Sequence, residues 1–155
     1  MAGTTKSAKR TTTTRKSSAA FTDEERSAMK DRAQEVKSTR AGASQDDDAQ
    51  AVLDKIAELS GSDREMAEAV HAVIVAAVPE LAPRLWYGMP AYAKAGKVVC
   101  FFQPAAKFKA RYATLGFNDP ANLDDGTMWP TSYAITTVGA AEEKKIAALV
   151  KRAAR

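Results

Sequence analysis

The side chains able to do chemistry in this sequence are mostly carboxylates, aromatics and lysines, with one histidine, His71, and one cysteine, Cys100. That scarcity removes a His/Cys zinc site and a histidine-dependent triad from the readings. No phosphate-binding glycine loop or dinucleotide fingerprint is present. The acidic series Asp46, Asp47, Asp48, Asp54, Glu58, Asp63, Glu65 and Glu68 is the densest set of oxygen ligands. Asp54 and Glu58 lie one helical turn apart, a spacing that lets two carboxylates share a hard or borderline cation. The same acids near helix starts also oppose the helix dipole with no metal at all.

A second group is aromatic. "WYGMPAY" places Trp86, Tyr87, Met89 and Tyr92 around Gly88 and Pro90. Glycine permits a sharp bend there, and the proline keeps Met89 extended. Packing at the end of a sheet is the expectation, since aromatics mostly serve cores. The alternative is a non-enzymatic module that stacks a small ligand or a protein partner on Trp86, Tyr87, Met89, Tyr92 and the more distant Trp129. A third group is basic. In "KFKARYATLGF" the alternation puts Lys107, Lys109 and Arg111 on one face of a strand, ~7 Å apart. There they form an anion-binding stripe or the solvated face of an outer strand. Asp124 and Asp125 beside Gly126 read as turn residues or as a carboxylate pair. Cys100 falls within an apolar strand and is expected to be an inert buried thiol. His71 lies outside the apolar stripe of its helix, which suits an exposed or boundary position.

The elements that position these groups follow from periodicity. Residues 1–20 carry five basic and no acidic side chains and few large apolar ones, so they read as a disordered basic tail. Such a tail can hold nucleic acid phosphates, although solubilisation explains it more simply. Residues 21–45 read as a short amphipathic helix and linker. A Thr22/Glu25 capping box opens the helix, and a thin stripe of Met29, Ala33 and Val36 leaves it weakly docked or projecting. Residues 46–155 read as one α+β domain. Val52, Leu53, Ile56 and Leu59 mark a helix stopped at Gly61, and a Ser62/Glu65 box opens the next, whose stripe runs from Met66 to Ala77. Then "AYAK" and "KVVCFFQ" form a hairpin about Ala95-Gly96, with the second strand central. "KFKARYATLGF" and "TSYAITTV" supply further strands, and Ile146, Leu149, Val150 and Ala153 mark a closing helix. The fold class is therefore α+β, an antiparallel sheet packed with N-terminal and C-terminal helices. No apolar run approaches the ~20 residues of a membrane span, and the polar start and lone cysteine point to a reducing cytoplasm.

Together, "LAPRLWYGMPAYAKAGKVVCFF", "KFKARYATLGF" and "LDDGTMWPTSYAI" resemble the bacterial YdhG-like family, a domain-of-unknown-function group, over roughly residues 49–153. The resemblance implies a frataxin-like layout, and one branch of the family includes a frataxin-like iron chaperone. By that likeness the chain is expected to bind iron weakly and supply iron–sulfur or haem assembly proteins. The positions that match in kind are Asp47, Asp48, Asp54 and Glu58.

Overall fold

The structure is a computed structural model and describes residues 20–155. The basic segment expected over residues 1–20 lies outside them, apart from Ala20. Helix α1 spans Asp23–Arg40, and its capping box forms as expected. Glu25 N–H donates to the Thr22 hydroxyl at 3.2 Å and Thr22 N–H to the Glu25 carboxylate at 2.8 Å. The linker then supplies a box that the sequence reading did not expect, Ser44 with Asp47, which opens α2 over Gln45–Glu58. Helix α3 spans Gly61–Ala77 and is not opened by a Ser62/Glu65 box; Ser60 occupies the cap position without a side-chain bond. Gly61 likewise begins α3 and does not close α2, which ends at Glu58 with Leu59 as its C-cap.

Five antiparallel strands follow in a meander, with spatial order equal to chain order: β1 Ala82–Trp86, β2 Met89–Lys94, β3 Lys97–Gln103, β4 Ala113–Phe117 and β5 Ser132–Ile135. Helix α4, Ala140–Ala153, returns across the sheet. The α+β class and the central place of β3 agree with the sequence. Strand β1 was not expected. Pro83 hides it, and proline is tolerated there because β1 is an edge strand with one side unpaired.

The core lies on one face. Val52 and Ile56 of α2, Val70 and Ile74 of α3, and Ile146 and Val150 of α4 pack with Tyr92, Cys100, Phe102, Leu115 and Ile135. A register shift opposite Tyr92/Ala93 lets both Val99 and Cys100 join this core, which breaks the simple alternation of β3. Among the described residues no helix is long and apolar enough to cross a membrane.

Helix α1 contributes nothing to that core. Its stripe also differs from the expected one: Met29 and Ala33 are exposed, Val36 is half-buried and Ala28 is the buried residue. The helix is nevertheless docked, and polar contacts dock it. Glu24 pairs with Lys109 at 2.8 Å, Asp31 with Lys107 at 3.5 Å, and Glu35 with the β1–β2 turn.

The strand expected over 107–112 is absent. Ala105–Phe108 form a 3-10 helix, and Lys109 takes a left-handed conformation at φ 53°. The cause is Asp63 on α3. Its buried carboxylate accepts the N–H groups of Ala105 and Ala106, both at 2.9 Å, and holds the segment as a turn. Lys107, Lys109 and Arg111 therefore form no stripe. The first two pair with α1, and Arg111 lies over the Tyr112 ring, 5.5 Å from its centroid.

Candidate functional site

The "WYGMPAY" stretch is a two-residue hairpin turn. Tyr87 and Gly88 have φ of 52° and 73°, the paired positive values of a tight turn whose twist matches the flanking strands. Glycine suits position 88 because of its positive φ, and a Cβ there would in addition displace the Asp31 carboxylate. The two turn N–H groups point at one anion, the Glu35 carboxylate of α1, at 3.0 Å from Tyr87 and 2.7 Å from Gly88. Glu35 also meets the Arg32 guanidinium at 3.4 Å, and that guanidinium lies over the Tyr87 ring.

Strand period then sorts the aromatics by face. Trp86 and Arg84 point away from the core in register with Met89 and Ala91, and Ala91 in turn lies opposite Phe101. Gly116 lies opposite Phe101 on β4, and any side chain at 116 would run into the Phe101 ring. That vacancy lets Phe101 lie across the sheet and reach Trp86, with ring centroids 5.1 Å apart. Tyr87 meets the same indole edge-on at 5.0 Å. Trp86 is half-buried and held from two sides. It borders a groove of about 600 Å³ whose other walls are Arg32, Arg84, Lys97, Val98 and the Asn118–Pro120 turn.

The other members of the expected ligand set do not line this groove. Met89 is buried. Tyr92 faces the core, fully buried, with its hydroxyl 2.9 Å from His71 Nδ1. Burial, and to a lesser extent the neighbouring Cys100, push the Tyr92 phenol above its usual range, so it remains neutral. Trp129 packs against the core and does not line the Trp86 groove. His71 is a boundary residue, and burial lowers its pKa. Cys100 is buried, with its thiol pushed up to about 12 by burial, which leaves no thiolate for nucleophilic chemistry at neutral pH. Asp124 and Asp125 are exposed beside the turn at Gly126, and the Asp124 carbonyl accepts from Arg152 at 2.8 Å.

Of the four carboxylates of the iron expectation, Asp47 stands apart from the other three. Asp47 is the capping partner of Ser44, whose N–H and hydroxyl hold its pKa below the usual carboxylate value. Asp48, Asp54 and Glu58 line a second cavity of about 440 Å³ between α1, α2 and β1, together with Asp31 and Glu35. Asp54 accepts from Gln50 at 2.9 Å on the exposed side of α2, and Lys55 pairs with Glu58 at 3.4 Å. No group of three or more His, Cys, Asp or Glu side chains among the described residues is arranged to hold a metal ion.

Arg32, Glu35 and Arg84 gain importance that their local sequence does not signal. Arg84 could have been placed by the alternation of Ala82, Arg84 and Trp86 against Pro83 and Leu85, had the proline not masked the strand. Arg32 and Glu35 depend on how α1 docks, and nothing near them in the sequence encodes that. Comparison of the chain with protein-family models, curated proteins and solved structures gave no match.

Proposed function

We propose that this chain is a non-enzymatic binding module whose ligand site is the groove beside Trp86. The observation that carries the reading is an indole fixed by Phe101 and Tyr87 with its free side toward an open concavity. Aromatic surface held in place without a core partner favours stacking of a ligand, because little side-chain entropy is lost on binding. The YdhG-like resemblance and a cytoplasmic setting belong to the same proposal.

The test uses a Trp129→Phe variant, in which Trp86 is the remaining tryptophan. A screen of small metabolites and peptides is expected to quench or shift Trp86 emission for at least one member. Constant emission across a broad set would overturn the reading.

The iron reading has an observation of its own, since Asp48, Asp54 and Glu58 share one cavity. In this second proposal Asp54 and Glu58, one helical turn apart, hold an exchangeable ferrous ion through two carboxylates and water, and the ion passes to iron–sulfur or haem assembly proteins. Anaerobic titration calorimetry with ferrous iron is expected to give heat that an Asp54→Asn/Glu58→Gln variant lacks. Equal heats from the two proteins would end it.

A further inference from the structure

We infer that the ligand of the Trp86 groove is a flat aromatic ring carrying a negative charge, such as a mononucleotide or an aromatic carboxylate. The inference rests on the groove being a ligand site and adds the ligand's chemical class. Three cationic side chains, Arg32, Arg84 and Lys97, stand around the indole, and Asp119 is the one acidic side chain in the lining. The neighbouring cavity is acid-rich, so the two concavities that Arg84 borders differ in sign.

Arg84 carries the argument furthest. Its Nε–H is buried and has no acceptor among the described residues. A buried guanidinium N–H without a partner is costly, so a turn of the side chain that brings its planar fork onto two oxygens of one carboxylate or phosphate in the groove is favoured. Arg32 is partly engaged by Glu35 at a long 3.4 Å and by the face of Tyr87, so it lies beside the groove in a fixed pose. Lys97, exposed at the β2–β3 turn, adds a screened charge at the rim. The indole supplies the flat apolar surface and the arginines the charge complement. A volume of about 600 Å³ suits a ligand of mononucleotide size or smaller.

The full chain carrying Trp129→Phe is titrated with adenosine monophosphate, nicotinate, adenosine, nicotinamide and inorganic phosphate. Nitrogen–proton NMR follows the Trp86 indole N–H and the Arg84 Nε–H. At least one of the two ring anions is expected to move both signals, with its neutral counterpart weaker by about tenfold or more. Response to the nucleotide alone assigns a phosphate, and response to nicotinate alone assigns a carboxylate. Arg84→Gln is expected to weaken binding about tenfold, and Arg84→Lys is not expected to restore it, because an ammonium lacks the fork. Should position 84 prove necessary for folding, Lys97→Gln at the exposed rim is expected to weaken binding severalfold at low salt. Neutral and charged rings binding alike would overturn the inference while leaving the binding-module reading intact. Inorganic phosphate binding as tightly as the ring anions would also overturn it, since the indole would then play no part. Silence from every probe overturns the ligand class, and silence in the wider fluorescence screen as well overturns the module.

Discussion

Asp63 shows how much one side chain decides. Its acidity near the start of α3 is readable as a helix-dipole contact, yet in the fold the carboxylate captures two N–H groups 42 and 43 residues on. Replacing it with alanine leaves the Ala105 and Ala106 N–H groups without their acceptor, and a loss of about 1–3 kcal/mol is expected in urea unfolding. A loss below about 0.5 kcal/mol would show that the turn over 105–108 holds itself. His71 gives a pH signature. Burial lowers its pKa from 6.5, so the unfolded chain binds the proton more readily than the fold. Its contribution is therefore complete above about pH 6.5, declines as the pH falls through that value, and levels off below the folded pKa. His71→Gln is expected to flatten the stability–pH curve as the pH falls below about 6.5. An unchanged slope would assign the dependence to other groups.

At the scale of elements, the hairpins differ in how plainly they are written. The β2–β3 hairpin is legible because apolar runs flank a short turn. Its first turn residue, Ala95, holds φ 50° without the side chain that favours such a conformation. Ala95→Asn is expected to stabilise the protein by about 0.5–1 kcal/mol, read as a rise in Tm. A fall would mean that the turn relaxes at no cost. The β1–β2 hairpin was legible only as a bend at Gly88, since Pro83 and Arg84 obscure the strand before it. The 107–112 segment misleads for the opposite reason. Its alternation of lysine and aromatic is a fair strand pattern, and only the distant Asp63 carboxylate makes it a turn. Local sequence carries no record of a partner that far away.

For the whole molecule, the contrast between α1 and the rest sets the expectation. The buried core begins at Val52, and α1 is attached by ion pairs and by Glu35 on the turn N–H groups. Partly exposed ion pairs of this kind contribute modestly and weaken with salt. A chain truncated before Ser44 is therefore expected to unfold cooperatively, with a Tm within roughly 10 °C of the full chain. Its β1–β2 turn N–H groups should lose their protection from hydrogen exchange. Collapse of the truncated chain to an uncooperative state would show that α1 belongs to the core after all.

The sequence by itself determined the α+β class, the helical packing face of α3, the β2–β3 hairpin and the inertness of Cys100, because each follows from local periodicity or from burial within one element. It also marked "WYGMPAY" as the place to look. Only the tertiary structure decided that this stretch is a turn clamped by Glu35 and that Tyr92 and Trp129 pack inward. It alone brought Trp86 together with Arg32, Arg84 and Lys97. Those outcomes depend on which strand faces meet which helix, and long-range docking of that kind has no period for a local pattern to reveal.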